Sequence, residues 1–135
     1  MTMTHAGVQA WLDRYVEGWR TYDQSIVEDL FAEDAEYRYH PWDEPIRGRA
    51  AIVDNWLNPS GPASGRDEPG TWKAHYAPFA VDGDVAVVLG ETWYFADASQ
   101  AVEERHYWNS WTIEFDAAGR CRRFTEYFMQ RKKAA

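Results

Sequence analysis

A single cysteine, Cys121, leaves no intrachain disulfide to build and fits a reducing compartment. Basic residues are scarce beside acidic ones, 14 against 22, which gives a net charge of −8. A nucleic-acid binder needs a basic stripe, and the only basic run, Arg131-Lys132-Lys133, reads as a solvated tail. The same acidity argues against docking on an anionic membrane surface. No apolar run approaches membrane-spanning length, and the N-terminus lacks the apolar core of a signal peptide. The expectation is a cytoplasmic protein, with no membrane and no nucleic-acid partner. Glycine-rich phosphate loops and Ser–His–Asp or Cys–His groupings are also missing. The four histidines, His5, His40, His75 and His106, form neither HxH nor HxxxH, so no metal site and no cofactor is expected.

Aromatic rings, by contrast, are abundant: 16% of the 135 residues, including eight Trp and eight Tyr. Either the core is rich in large rings or some of them wall a cavity. A chain of this length fits one domain, 1–135, able to bury a core without staples.

Val8, Trp11, Leu12, Tyr15, Val16 and Trp19 recur at helical spacing, with Thr4 as candidate cap and an end near Tyr22. Asp23 suits the N-cap of a second helix whose stripe is Ile26, Val27, Leu30 and Phe31 and which Glu33-Asp34 closes. Tyr37 and Tyr39 alternate with polar residues as in a strand, and Pro41 stops it. A third helix is predicted from Arg49 to Leu57, ended by Asn58-Pro59. The Gly- and Pro-rich stretch 60–70 reads as a loop of the length used for lids or binding loops. Four antiparallel strands follow, over 71–81, 84–95, 103–115 and 120–129. Asp82-Gly83 and Asp116 to Gly119 provide hairpin turns. Helices first and strands last mean α+β, here a curved sheet wrapped on a helix layer around a concave interior.

Strand parity sorts the candidate site residues. If Trp111 faces inward, then Arg105, Tyr107, Asn109, Ile113 and Phe115 face the same way. Asn109 is then an amide among rings, set either to orient a ligand oxygen or to bond a neighbouring strand. Phe124, Glu126 and Phe128 share one face of the last strand. If that face is interior, desolvation raises the Glu126 pKa, as acid–base catalysis requires; the alternative is an ion pair with an arginine such as Arg105 or Arg123. His75, between Trp72 and Phe79, is the histidine placed best for a pocket. Cys121 lies between Arg120 and Arg122, which would lower its thiol pKa. Trp42, Trp56 and Trp72 either close a pocket mouth or seal helices to the sheet, and the face carrying Glu91 and Trp93 is left open.

Tyr15, Trp19, Asp23, Ile26, the run Leu30 to Ala35, Pro45, Gly48, Ala51-Ile52 and Asp116 to Gly119 together resemble the nuclear transport factor 2 superfamily, in its SnoaL-like branch. The resemblance spans nearly the whole chain. It implies the cone-shaped α+β fold, and among the superfamily's members are isomerases, dehydratases, epoxide hydrolases, cyclases and proteins without chemistry. Steroid isomerases of this fold carry an Arg-Tyr-Val similar to Arg14-Tyr15-Val16. The oxyanion-donating tyrosine falls on Tyr15, the base aspartate on Tyr39, and the second donor, a protonated aspartate, on Trp111. One of three roles survives, so steroid isomerisation as such is rejected. The Asp–Arg–Asp set of the epoxide hydrolases finds no match.

The expectation is a pocket for a small hydrophobic ring compound, lined by Trp19, Tyr39, Trp56, Tyr107, Asn109 and Trp111. Tyr15, Glu126 and His75 would carry isomerisation, dehydration or cyclisation. The alternative is a ligand-binding or association domain without catalysis. A homodimer joined through the outer sheet face, where Trp108 lies, is expected in either case.

Overall fold

Residues 2–59 and 66–133 are described by the computed structural model. Helix α1, His5–Thr21, buries Val8, Trp11, Leu12 and Tyr15 along one stripe. Thr4 caps it, its hydroxyl accepting the Gly7 N–H at 3.0 Å. Tyr22 ends it in the left-handed region, φ 52°, donating its N–H to the Gly18 carbonyl. Few non-glycine residues stay there without outside support. Tyr22 receives that support at its hydroxyl, which accepts the Asp67 N–H at 2.9 Å.

Helix α2, Gln24–Leu30, starts at Asp23, whose carboxylate accepts the N–H groups of Ser25 and Ile26. Replacing Asp23 with alanine removes this cap; the expected loss is about 1 kcal/mol, read as a lowered midpoint in urea unfolding at unchanged slope. The helix is shorter than its apolar stripe suggested. Phe31 and Glu33-Asp34 belong to strand β1, Phe31–Arg38, because Phe31 pairs with Cys121 of the last strand and is fully buried beneath Trp11. The sheet ladder overrides the helical spacing there. A two-residue strand β2, Ile46–Arg47, pairs antiparallel with β1. Helix α3 runs Arg49–Leu57, the predicted bounds.

Four long strands follow: β3 Trp72–Asp82, β4 Val85–Phe95, β5 Glu103–Phe115 and β6 Cys121–Gln130. The β3–β4 turn is Gly83-Asp84, one residue later than the sequence suggested, and Gly83 adopts φ 62°. The sheet order is β2-β1-β6-β5-β4-β3. β3 to β6 are antiparallel as expected, but β1 joins β6 in parallel, so the six-stranded sheet is mixed and unclosed. It curves over the helices. The core between them is largely aromatic: Trp11, Tyr15, Phe31, Tyr37, Trp56, Trp111, Phe115 and Phe124 are all buried.

Candidate functional site

Curvature leaves a cavity of about 320 Å³ between the helices and the inner face of the sheet. Strand parity supplies its walls. Tyr107, Asn109 and Trp111 come from β5, Glu126 and Phe128 from β6, Thr92 and Tyr94 from β4, and Tyr76 from β3. Tyr15 and Trp19 descend from α1, Asn55 and Trp56 from α3, and Tyr37 from β1, with Tyr39 just beyond it. Its buried wall includes Tyr15, Tyr37, Tyr76, Thr92, Asn109 and Trp111; the exposed residues Tyr39, Arg105 and Phe128 form its rim.

Glu126 and Asp67 are the carboxylates that line this cavity, and Glu126 is the one on the inner face of the sheet. Its Oε2 accepts two hydrogen bonds, from Trp111 Nε1 at 2.6 Å and from Asn109 Nδ2 at 2.9 Å. Asn109 is oriented from behind: its Oδ1 accepts the Thr92 hydroxyl at 2.8 Å. Thr92 has one hydroxyl hydrogen and spends it there, so the Tyr76 hydroxyl, 2.5 Å away, donates to Thr92. The relay therefore has one direction, from Tyr76 through Thr92 and Asn109 to Glu126. Both bonds end on Oε2, and Oε1 has no partner among the described residues. Neither Arg105 nor Arg123 pairs with this carboxylate. Arg123 reaches Glu36 and Glu114, and Arg105 lies over Tyr94. Burial pushes the Glu126 pKa above its ordinary value, and the bonds from Trp111 and Asn109 oppose that shift.

Phenols surround the carboxylate. The Tyr15 and Tyr37 hydroxyls are 2.8 Å apart, and both rings stack on Phe124. Burial raises both phenols well above their ordinary pKa; the charge of Glu126 adds to the shift of Tyr15, and neighbouring Tyr15 to that of Tyr37. Tyr39, whose hydroxyl donates to Asn55 Oδ1, is pushed to about 12, again by burial first and Glu126 second. All three stay neutral at physiological pH and can donate hydrogen bonds. One hydrogen bridges Tyr15 and Tyr37, so the pair keeps a second to offer.

Eight of the nine residues expected at the site line the cavity: Tyr15, Glu126, Trp19, Tyr39, Trp56, Tyr107, Asn109 and Trp111. His75 does not. It is exposed on the opposite face of β3, in register with Glu91, while its neighbours Trp72, Ala74 and Tyr76 turn inward. Glu91 is on that outer face too, bonded to His106 at 2.6 Å. Trp72 stacks on Trp19 at 3.6 Å, and Trp19 Nε1 donates to Asp67 Oδ2 at 2.8 Å. Trp42 stays exposed beside His40. Cys121 is buried, and burial pushes its thiol pKa up, against the lowering expected from Arg120 and Arg122. Those arginines turn to Asp29 and Glu114 instead.

Sequence reasoning passed over Tyr37, Tyr76, Thr92, Tyr94 and Asp67. Tyr37 shares its parity with Tyr39, and Tyr76 with Trp72, so alternation was the signal that could have found them. Thr92 and Tyr94 needed the β4–β5 register, which the connection between those strands does not encode. Residues 60–65 of the expected binding loop lie outside the described residues. No group of three or more His, Cys, Asp or Glu among the described residues stands close enough to hold a metal ion. No helix among them is long and apolar enough to cross a membrane.

Solved structures resemble the whole fold. A putative ketosteroid isomerase from Kribbella flavida is similar at 18% identity and a TM-score of 0.64, over 97% of this chain and 84% of that one. An NTF-2 like protein of unknown function from Burkholderia xenovorans gives 18% and 0.64 over 96% and 88%. An LEH-like epoxide hydrolase from M. tuberculosis gives 14% and 0.63 over 93% and 84%. At such identities the likeness shows the fold alone. Among curated proteins, none matches. The SnoaL-like domain profile matches residues 12–129, most of the chain, and the protein belongs to that SnoaL-like family.

Proposed function

We propose that the cavity binds a small hydrophobic ring compound bearing an oxygen function and that Glu126 moves a proton on it. The observation that carries this reading is a half-buried carboxylate with both internal donors on Oε2, its Oε1 unbonded among the described residues, and neutral phenols around it. As a base, Glu126 takes a proton from the carbon beside a carbonyl. The C–H electron pair forms the enolate double bond, and the carbonyl oxygen becomes an oxyanion that a phenol of the Tyr15–Tyr37 pair stabilises. Returning the proton to another carbon completes an isomerisation; loss of a hydroxyl, protonated by Glu126, completes a dehydration. The positions that the steroid-isomerase resemblance assigns to base and second donor are Tyr39 and Trp111, a phenol and an indole. The acid comes instead from the neighbouring strand, where Glu126 pairs in register with Trp111. His75, on the outer face, has no part in this scheme, and the scheme requires no cofactor.

A thermal-shift screen with ring-containing ketones and alcohols tests the reading. A compound that binds only the folded chain raises the melting temperature, by about 2.7 kcal/mol of added stability at a hundred times its Kd. Hits should turn over with the wild type and not with Glu126→Gln. Hits that bind both forms and react with neither would make the cavity a binding site without catalysis; no hits at all would remove the ligand.

The outer sheet face supports pairing of two copies. Trp108 and Met129 are adjacent in register on it and are 52% and 75% exposed, with Tyr127 beside them. Exposed apolar patches of this kind mark interaction surfaces. Sedimentation should find a dimer, and Trp108→Glu should shift it to monomer with its melting temperature little changed. A wild type that sediments as monomer at all accessible concentrations would reject the pairing.

A further inference from the structure

Resting on the proposed ligand site, a second polar point defines what else the ligand carries. Arg105 lines the cavity at its exposed rim. Its guanidinium lies 4.2 Å from the Tyr94 ring centroid, and Nη1 donates to the Tyr107 hydroxyl at 2.9 Å. Seven other arginines, Arg14, Arg20, Arg38, Arg47, Arg120, Arg122 and Arg123, stand in ion pairs. In a chain with 22 acidic residues, Arg105 has no carboxylate within ion-pair distance among the described residues. Asp67 also lines the cavity, accepts a bond from Trp19 on Oδ2 and adds its charge to the field at Tyr94, but it makes no ion pair with Arg105. The Tyr107 hydroxyl accepts from Arg105, so its own hydrogen is left to donate into the same space. Stacking and hydrogen bonding thus fix one planar cation and one hydroxyl donor side by side on the wall, with no carboxylate among the described residues paired to the cation. That is the donor set for a carboxylate.

We propose that Arg105, with Tyr107, recognises a carboxylate on the ligand, and that the substrate is a ring-containing carboxylic acid whose reacting end lies at Glu126. Arg105 precedes Asn109 by four residues on β5, about 13 Å along the strand. With side chains leaning inward, carboxylate and reacting carbon stand on the order of 10 Å apart. The distance keeps the ligand's negative charge away from Glu126 and suits one or two rings with a short acyl arm, in keeping with a cavity of about 320 Å³.

Isothermal titration with phenylbutanoic and naphthylpropanoic acids, and with their uncharged primary amides, tests this at fixed ionic strength. In the wild type at least one acid should bind about tenfold or more tightly than its amide. Arg105→Gln should abolish that preference by weakening acid binding far more than amide binding, whereas a merely disturbed wall would weaken both alike. Arg105→Lys should restore part of it, and added salt should erode it. Equal binding of acids and amides, or tighter binding of the matching amines, would overturn the carboxylate while keeping the cavity as a ring-binding site. Failure of acids, amides and amines alike would overturn both readings, a result separate from equal binding.

Discussion

Replacing Glu126 with glutamine is expected to lower turnover about 10²–10⁴-fold with little change in KM, and to raise the melting temperature at neutral pH. The first effect follows from the usual contribution of a positioned acid–base group, about 3–5 kcal/mol of transition-state stabilisation. Glutamine keeps an oxygen that can accept from Trp111 Nε1 and Asn109 Nδ2, so the cavity keeps its shape while the proton carrier is lost. The second effect follows from burial. A carboxylate whose folded-state pKa is raised destabilises the fold when ionised. Below the ordinary value of 4.5 both folded and unfolded chains hold the proton and Glu126 carries no penalty. As pH rises past that value the unfolded chain releases its proton first, so stability falls, and the loss is complete above the folded-state pKa. Glutamine lacks this titration. The melting-temperature gap between variant and wild type should therefore be small at low pH, widen as pH climbs beyond 4.5, and then stay constant. Removing such a conflict at a functional site is typically worth about 0.5–2 kcal/mol, or roughly 2–8 °C in a domain of this size. Full activity in the variant would end the catalytic role, and a gap that does not depend on pH would end the electrostatic account.

Glu126 was visible in the sequence because two phenylalanines, each two residues away, mark its strand face as interior. Trp111 was visible through the resemblance to steroid isomerases, and Asn109 through its parity with Trp111 on β5. Helix α3 emerged with its bounds because Gly48 and Asn58-Pro59 punctuate it on both sides. Other features turned on contacts between elements distant in sequence. Phe31 fits the apolar stripe of α2, yet parallel pairing with Cys121 makes it a strand residue, and nothing local encodes that partner. His75 was misplaced because both faces of β3 carry aromatic or apolar residues, Trp72 and Tyr76 on one, Phe79 beyond them. The α1 helix decides which face is covered, through Trp19 on Trp72 and through Gln9, which donates to the Tyr76 carbonyl. The expected lowering of the Cys121 thiol pKa failed for a related reason. Its flanking arginines are close in sequence, but Arg120 turns to Asp29 and Arg122 to Glu114, and the thiol is left in the core with burial as its dominant influence.

Gly90→Ala is expected to destabilise the fold by about 3 kcal/mol or more and to disable the site as well. Gly90 sits mid-strand on β4, between Tyr76 of β3 and Asn109 of β5. A Cβ built there would run into the Tyr76 ring at Cδ1, the His75 carbonyl oxygen and the Tyr76 Cα. The ring of Tyr76 lies across the bare backbone of Gly90, and this permits its packing on Trp111 at 4.3 Å and the reach of its hydroxyl to Thr92. A methyl group therefore cannot be accommodated by turning a side chain alone; two of the three contacts are backbone, so β3 has to part from β4. Overpacking usually costs about 1–3 kcal/mol, and a clash against backbone belongs at the upper end or beyond. The melting temperature should fall by about 10 °C. Displacing Tyr76 also breaks the relay at its origin. Thr92 loses its donor, and Asn109 is no longer held by a fixed Thr92 hydroxyl while it donates to Glu126. Ligand affinity should then drop even at temperatures where the variant is fully folded. Adding Tyr76→Ala to Gly90→Ala removes the ring contact but not the two backbone contacts. The double variant should therefore recover some stability relative to the sum of the single losses, without reaching the Tyr76→Ala level. Thermal unfolding of the four proteins gives the coupling directly. A Gly90→Ala protein that melts within a degree or two of wild type would show that β3 yields freely, and the relay would lose its structural footing.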